Sequence, residues 1–433
     1  MLLQTKQWES KYLRDFDVVK NAVVSEEHLY NAITAMYYDY VSSNGIEPFT
    51  ISYGRGKGFC INANSHVGVI VYDDITLYIN SMIPNLTLGK ILYLQSQAED
   101  IQSTTETRKV IVDNLNDEET ISAIDYFVVS LLQAVEEIRV NGLITEIQRA
   151  ETVSKRLIGK MDIKRQISKS PAYEQFYVEK TDVSTNILLN RAIRTAIEKS
   201  AELTKLEWAR PLLIGALDYF TNVSDLEEIT KEDFPKVSDY TAIKRDDYEK
   251  ALRFAKFILL GYDPLAGDGI SSFPEFMIDM NEVFEYYVNV GLKRIFKNGF
   301  ENKKIFSLGV GPRDIPIDRK NIELDGYYCN ENIKVVLDTK NKYKNVLENE
   351  IPDFVAANPD IYQQYYYASR VNASNIILVY PSDRKRTAPI GEYDLNFERN
   401  KNVKMYFWAL HITGSPKDNK RALINLAKFI ETL

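Results

Sequence analysis

The stretch IELDGYYCNENIKVVLDTK, residues 322–340, decides the fold of the C-terminal part of this chain. Within it, two runs rich in β-branched and aromatic residues, 322–328 and 333–338, flank a polar tetrapeptide at 329–332. Strand-forming runs separated by a short polar segment are the sequence pattern of a β-hairpin. We therefore predict two antiparallel strands joined by a tight turn.

The predicted hairpin brings two acidic residues together. A turn centred on Glu331 and Asn332 pairs Asp325 directly with Asp338, and directly opposed residues have Cβ atoms about 5 Å apart on one face of a sheet. Lys340 lies two positions beyond Asp338, so its side chain points to the same face. The prediction depends on the register, because a slip of one residue would separate these side chains.

Two carboxylates and a lysine on one face suit phosphodiester hydrolysis. Carboxylate oxygens bind Mg²⁺, which keeps several waters and also binds phosphate oxygens. The metal lowers the pKa of a bound water and neutralises charge that develops on the phosphate. Lys340 could orient that water or stabilise the same charge. The alternative is an ordinary salt bridge across a surface hairpin, which the spacing alone does not exclude.

The sequence around the hairpin predicts a mixed α/β domain. Apolar residues at helical spacing precede the hairpin, and strand and helix patterns alternate after it. Besides the hairpin strands, the predicted elements are a helix at 275–296, a helix at 358–370, strands at 376–380 and 403–412, and a final helix. Strands with helices before and after them favour a central mixed sheet flanked by helices.

The first 270 residues are organised differently. Strands are predicted at 67–72 and 75–79 within a β-rich stretch from 50 to 94, and helical spacing follows at 118–140 and 185–260. Glycines and prolines cluster at 261–274, which indicates a linker or exposed loop. We therefore divide the chain into three regions: an N-terminal β-rich region (1–165), a helical middle region (166–270) and a C-terminal domain (271–433).

The composition indicates a soluble globular protein. The chain has 433 residues, 45% of them hydrophobic and 26% charged, which is typical of soluble proteins and long enough for two or three domains. No apolar stretch approaches the roughly 18 residues needed to cross a bilayer. Lys6, Glu9 and Lys11 interrupt the N-terminus where a signal peptide would be apolar. We expect a cytoplasmic location without membrane contact.

The cysteines and the net charge limit the possible functions. The two cysteines, Cys60 and Cys329, and the three histidines lie far apart, which argues against a disulfide framework or a structural zinc site. The net charge is −8, yet residues 271–433 hold 23 Lys+Arg against 21 Asp+Glu, a balance of +2. The first 270 residues hold 30 against 40, a balance of −10. The acidic excess therefore does not exclude DNA contact by the C-terminal region.

Several motifs resemble McrC, the nuclease subunit of the McrBC-type, GTP-dependent restriction systems. Asp325 followed by Asp338-Thr339-Lys340 resembles the PD-(D/E)xK nuclease signature as it occurs in that family. The other resembling segments follow in family order: His66–Ile70, Leu77–Ile79, Leu157–Asp162, Asn190-Arg191, Met280–Val288, Tyr362–Ala368 and Ile377–Pro381. The sequence departs from the family where Asp-Thr-Lys replaces Asp-Ala-Lys, and where Ser81–Asn85 replaces a Pro-Lys-Ile segment.

The resemblance implies a C-terminal PD-(D/E)xK endonuclease domain that uses Mg²⁺, with Mn²⁺ able to substitute, and cleaves double-stranded DNA in antiviral defence. It implies that Asp325, Asp338 and the backbone carbonyl of Thr339 hold the metal, and that Lys340 acts in catalysis. The Phe-Glu glutamate of the family maps to Glu285, which would order a metal-bound water or the lysine. Without the resemblance, Glu285 is an ordinary glutamate at the edge of an apolar helix stripe.

Gln363 and Tyr367 correspond to the Tyr-Gln-x-x-x-Tyr-Ala helix of the family. Their spacing of four places them on one helix face. They either contact DNA or support the active site, or they serve only in helix packing.

The resemblance also implies a partner, a McrB-like AAA+ GTPase hexamer whose activity this chain would stimulate. No GxxxxGK[ST] motif occurs in the sequence, so NTP hydrolysis must come from another chain. The N-terminal region would bind the partner, and Arg55 and Lys57, within Gly54–Gly58, could contact it; a plain hairpin loop is the alternative. The rival function is a non-catalytic adaptor with a relic nuclease fold, which the complete acid–acid–lysine set disfavours.

Overall fold

The computed structural model of the protein describes most of the chain. The described residues are 1–73, 75–98, 110–111, 114, 122–169, 174–230, 234–260, 276–307, 321–343, 358–398 and 401–433. The predicted linker at 261–274 lies outside them. Within these ranges, no helix combines the length and the apolar character that a bilayer span requires.

Helices and strands are distributed along the whole described chain. The helices are α1 (Asp17–Lys20), α2 (Glu26–Asn44), α3 (Leu88–Ala98), α4 (Ala123–Asn141), α5 (Ile163–Lys169), α6 (Leu188–Leu203), α7 (Ala209–Leu217), α8 (Asp246–Leu260), α9 (Met280–Phe296), α10 (Asn358–Val371) and α11 (Pro416–Glu431). The strands are β1 (Leu2–Lys6), β2 (Ser10–Tyr12), β3 (Phe49–Gly54), β4 (Gly58–Ala63), β5 (His66–Tyr72), β6 (Ile75–Asn80), β7 (Glu146–Ser154), β8 (Lys160–Met161), β9 (Phe176–Ser184), β10 (Phe276–Asp279), β11 (Phe300–Ser307), β12 (Asn321–Cys329), β13 (Lys334–Thr339), β14 (Asn375–Ser382), β15 (Gly391–Glu398) and β16 (Lys401–His411).

The chain forms two compact units. The first lies within Met1–Thr104, Val112–Ala123 and Pro274–Leu433, and the second within Thr105–Ile111 and Ile124–Phe273. Both units contain helices and strands, so the mixed α/β class predicted from the sequence is confirmed. The second unit ends close to the predicted boundary at residue 270, and it contains residue 165.

The C-terminal part of the first unit contains a mixed sheet. Among the described residues, it has the strand order β11-β12-β13-β14-β16-β15. The neighbours β13, β14 and β16 run parallel, whereas β11, β12 and β15 join by antiparallel pairing. Strand β14 is buried along its whole length, as expected for a parallel strand covered on both faces. Helices α9, α10 and α11 pack on this sheet, so the predicted central sheet with flanking helices is present.

The register of the β12–β13 hairpin agrees with the prediction. Gly326 pairs with Leu337 and Cys329 with Lys334, and one further step along the same ladder brings Asp325 opposite Asp338. The turn closes with a hydrogen bond from the Asn330 amide to the Ile333 carbonyl, 3.0 Å long. The two apolar runs form the strands because alternate residues pack on α10, as Val336 does.

Strand β10 joins the C-terminal domain to the N-terminal segment. It pairs antiparallel with β5 and extends the sheet β1-β6-β5-β10 of the N-terminal segment. Helix α9 follows β10 directly and packs on α3. The N-terminal segment and the C-terminal domain therefore share one compact unit, and the sequence pattern could not show this because the pairing joins segments far apart along the chain.

The second unit contains both helices and a small sheet. Strands β7, β9 and β8 form a three-stranded antiparallel sheet within the described residues, so the predicted helical middle region contains β structure as well. Asn190, from one of the family-like motifs, is fully buried between two segments. Its amide donates to the Ile144 carbonyl at 2.9 Å and its carbonyl accepts from the Tyr248 hydroxyl at 2.6 Å. This motif therefore has a structural role, because buried polar groups must be hydrogen-bonded.

Candidate active site

The candidate site lies at the carboxyl end of β13. Asp338 is the next-to-last residue of that strand, and Lys340 follows it. Leu337 and Val336 are buried in the sheet, so the backbone that carries Asp338 is held on both sides by hydrogen-bonded strands. In sheets with parallel strands, functional groups commonly lie at the carboxyl ends of strands. The fold therefore holds these side chains on a rigid element.

Asp338 is a buried carboxylate with two different partners. Its side chain is only 8% exposed, and its Oδ2 lies 2.8 Å from the Lys340 Nζ. Its Oδ1 accepts a hydrogen bond of 2.8 Å from the Gln364 Nε2 on α10. A buried charge persists only when it is paired or hydrogen-bonded. Asp338 is both paired with Lys340 and hydrogen-bonded to Gln364. The structure places Asp338 and Lys340 together, as the sequence predicted.

Asp325 lies beside Asp338. Its Oδ2 accepts a hydrogen bond of 3.3 Å from the Thr339 amide, which joins the two strands at this point. The two carboxyl groups are close enough for the charge of Asp325 to act on Asp338. The predicted pair of acidic residues is therefore formed in the fold.

The ionisation of the three groups reflects their crowding. Burial, and then the charge of Asp325, raise the pKa of Asp338 to about 7. Burial also raises the pKa of Asp325, against the lowering effect of the Thr339 amide and of Lys340. Burial alone would lower the pKa of Lys340, but the charge and hydrogen bond of Asp338 raise it overall. The lysine therefore stays charged, and the pKa of each carboxyl lies above its usual value.

Glu285 joins the electrostatic environment of the site. It lies on α9, half-buried, with its Oε1 3.9 Å from the Lys303 Nζ on β11. Burial raises its pKa, and the charge of Asp325 raises it further. The sequence predicted Glu285 at the edge of the apolar stripe, and its intermediate burial agrees with that position.

Helix α10 contributes a residue that the sequence pattern did not single out. The predicted pair Gln363 and Tyr367 does form on one face, where the Gln363 Nε2 donates to the Tyr367 hydroxyl at 2.9 Å. Gln363 is exposed, however, and the contact with Asp338 is made by its neighbour Gln364, which is 1% exposed. Helical spacing could have identified Gln364, because it lies on the same buried helix face as Ala368 and Val371.

Two other polar residues at the site were not predicted. Asp360, in the first turn of α10, lies 3.9 Å from the Lys340 Nζ and 3.2 Å from the Lys342 Nζ. Asn341 is 6% exposed and donates to the Asn281 side chain at 3.1 Å. Neither contact follows from sequence spacing, since each joins separate elements.

Arg55 and Lys57 lie in the turn between β3 and β4. Both side chains are exposed, and Gly56 between them has a φ of 71°, a left-handed conformation that glycine adopts without strain. The segment is therefore the tip of a β-hairpin. Its strands belong to the sheet β2-β4-β3.

Comparison with solved structures reveals a similar fold. A refined half-complex from the tetradecameric assembly of Thermococcus gammatolerans McrB AAA+ hexamers with bound McrC matches with 16% identity and a TM-score of 0.53, covering 98% of this chain and 100% of the matched chain. The cryo-EM structure of the Thermococcus gammatolerans McrBC complex matches with 17% identity and a TM-score of 0.36, covering 69% and 88%. At 16% identity, the first match shows a shared fold.

The described residues thus define a mixed α/β protein with a carboxylate pair and a lysine at the end of a buried strand. A family model described as McrBC 5-methylcytosine restriction system component matches residues 61–381. The chain belongs to this family, which confirms the resemblance seen in the sequence motifs. No curated protein sequence gave a match.

The raised pKa of Asp338 generates a stability prediction. In metal-free protein, a carboxyl whose folded-state pKa is raised stabilises the fold below its unfolded pKa, and this contribution is lost as pH rises through about 7. A tenfold change in an ionisation equilibrium corresponds to about 1.4 kcal/mol. Because an asparagine does not ionise, Asp338→Asn should unfold at a higher temperature than the wild type at pH 8, with a smaller difference at pH 5. Thermal unfolding in EDTA at both pH values measures this.

Asp418 supplies a control of opposite sign. The hydrogen bond from Lys385 lowers the pKa of Asp418, so its ionised form stabilises the fold. Asp418→Asn should therefore not raise the unfolding temperature at pH 8. An Asp338→Asn effect that is the same at both pH values would contradict the assignment of a strained, buried carboxylate.

Proposed function

We propose that this chain is a Mg²⁺-dependent endodeoxyribonuclease subunit of a McrBC-type restriction complex, and that it carries a PD-(D/E)xK nuclease domain. The observation that carries the proposal is the pairing of Asp325 and Asp338 beside Lys340 at the end of β13. A surface salt bridge would be exposed and would need no second acid. Here Asp338 is buried beside another carboxylate, an arrangement that costs stability and suits a cation site.

The residues fit a hard divalent cation. The carboxyl groups of Asp325 and Asp338, which repel each other when both are ionised, provide oxygen ligands. The backbone carbonyl of Thr339, the residue after Asp338, is a further oxygen ligand in this proposal. Among the described residues, no group of three or more His, Cys, Asp or Glu side chains could hold a metal ion by itself. Mg²⁺ suits a site with few protein ligands, because it keeps several waters and binds substrate phosphate as well. Mn²⁺ should substitute, since it accepts the same carboxylate, carbonyl and water ligands.

The protein groups have separate roles in this proposal. When bound, the metal supplies a water of lowered pKa and neutralises charge on the phosphate. Asp325 and Asp338 would hold the ion. Lys340, whose pKa is raised, remains an ammonium and can donate to a phosphate oxygen as its negative charge increases. Glu285, whose pKa is also raised, can accept a hydrogen bond from a water at the site.

The proposed partners are double-stranded DNA and a McrB-like AAA+ GTPase hexamer. The similar solved structure is described as McrB AAA+ hexamers with bound McrC, and the present chain covers it from end to end. We propose that the exposed Arg55 and Lys57 at the β3–β4 turn contact the GTPase, which would carry out recognition and translocation on DNA. Gln363 and Tyr367 form a hydrogen-bonded pair on one face of α10, and we propose that they contact DNA there.

Two substitutions test the catalytic assignment. An ammonium does not ligate Mg²⁺, so Lys340→Ala should not lower Mn²⁺ affinity, while single-turnover cleavage by the complete complex falls about a hundredfold or more. Asp338→Ala should lose both metal binding and cleavage. Calorimetric Mn²⁺ titration alongside the cleavage assay separates the two effects. Cleavage by Asp338→Ala at the wild-type rate would refute the site, and a proportional loss of affinity and rate in Lys340→Ala would refute the role of the lysine.

A double substitution tests the partner contact. Replacing both Arg55 and Lys57 with Ala should weaken association with the AAA+ partner by about threefold to tenfold, mainly through a slower on-rate, because exposed charges steer association. The control replaces the exposed Lys20 and Lys236 with Ala, which changes the net charge equally. Equal association rates for the two double variants would show that the hairpin tip is not a partner contact.

A further inference from the structure

The two oxygens of Asp338 are held in different ways. Oδ1 accepts a hydrogen bond of 2.8 Å from the Gln364 amide nitrogen. Oδ2 lies 2.8 Å from the Lys340 ammonium. Asp338 and Gln364 are 6% and 1% exposed, so water has little access to either partner of this hydrogen bond. The carboxylate is therefore fixed from both sides, once by a neutral donor and once by a charge.

The two partners differ in how readily a cation can replace them. Lys340 has a flexible four-carbon stem, a side chain that is 19% exposed, and a second carboxylate, that of Asp360, at 3.9 Å. A cation bound at Oδ2 would replace the Lys340 ammonium as the positive charge beside Asp338. The ammonium would then remain near Asp360. Gln364 is held in the middle of α10 on the buried face, and a cation cannot take the place of its hydrogen-bond donor.

We propose that Gln364 is a positioning residue: it holds Oδ1 of Asp338 and so presents Oδ2 to the divalent ion, while Lys340 is the partner that leaves. The inference rests on the proposed function, because it assigns the orientation of a proposed metal ligand. Gln364 itself touches neither metal nor substrate. Groups that orient a metal ligand in this way commonly contribute about tenfold to a hundredfold to metal affinity or activity.

Packing alone does not account for a glutamine at this position. Within the part of the chain that the structure describes, the Gln364 Oε1 is buried without a hydrogen-bond partner. Leaving a buried amide oxygen unpaired destabilises a fold, and an apolar side chain of similar size avoids that cost. The neighbouring buried positions on this face of α10, Ala368 and Val371, are apolar. The polar side chain at Gln364 is therefore explained by its hydrogen bond to Asp338.

The test removes the donor and keeps the volume. Gln364→Met should unfold in EDTA at a temperature close to that of the wild type, because removal of the unpaired amide oxygen offsets part of the cost of losing the donor to Asp338. Its Mn²⁺ affinity, measured calorimetrically on the full chain, should nevertheless fall about tenfold or more. The control is Gln363→Met, which removes the exposed neighbouring amide and should bind Mn²⁺ as the wild type does. A purely structural role would instead lower stability and affinity together.

Cleavage by the complete complex provides a second readout. The Mg²⁺ concentration at half-maximal rate should rise in Gln364→Met, while saturating Mg²⁺ should recover most of the rate, because the substitution acts on metal binding. Gln364→Glu should bind Mn²⁺ more weakly than wild type at neutral pH, since an ionised carboxylate cannot donate to Asp338 and repels it.

The outcomes separate this inference from the proposed function. If wild-type protein binds Mn²⁺ and Gln364→Met binds it equally well, the positioning role is overturned and the nuclease proposal stands. Loss of stability in proportion to loss of affinity would also overturn it. If the wild-type chain binds no Mn²⁺, both proposals fail together.

Discussion

The site depends on one physical constraint: two carboxyl groups must lie side by side at a position with little access to water. Burial and mutual repulsion raise the pKa of Asp338 to about 7, which shows that the fold stabilises this arrangement only incompletely. The compensating contacts come from three separate segments. They are the ammonium of Lys340, the amide of Gln364 and the backbone amide of Thr339. An arrangement that costs stability in the protein alone is expected where a bound cation restores the balance.

The same constraint explains why the surrounding elements are arranged as they are. Strand β13 is paired on both sides, so Asp338 cannot move away from Asp325 without breaking the sheet. Helix α10 must pack closely enough on β13 for Gln364 to reach Asp338. Helix α9, which carries Glu285, begins immediately after β10, and β10 is paired with the N-terminal sheet. The N-terminal sheet and the candidate site are thus joined within one compact unit.

The sequence predicted the features that depend on residues close together in the chain. Alternating apolar residues and a polar turn gave the β12–β13 register, and with it the pairing of Asp325 and Asp338. Contacts between segments that lie far apart in the sequence could not be predicted from such patterns. The pairing of β10 with β5 places the N-terminal segment and the C-terminal domain in one compact unit. Strand β9 lies in the region named helical, before the helical spacing that begins at residue 185. Gln364 was missed in favour of Gln363 because adjacent glutamines are chemically alike, and only the direction of the buried helix face distinguishes them.

The most direct test of the central claim is the position of a divalent ion in crystals of this chain grown or soaked with Mn²⁺. We expect a single anomalous-scattering peak about 2.1 Å from an oxygen of Asp325 and from Oδ2 of Asp338, with Gln364 still bonded to Oδ1. Absence of a peak at saturating Mn²⁺ would contradict it. Carboxyl groups more than about 7 Å apart would also contradict it, because a single ion could not bridge them.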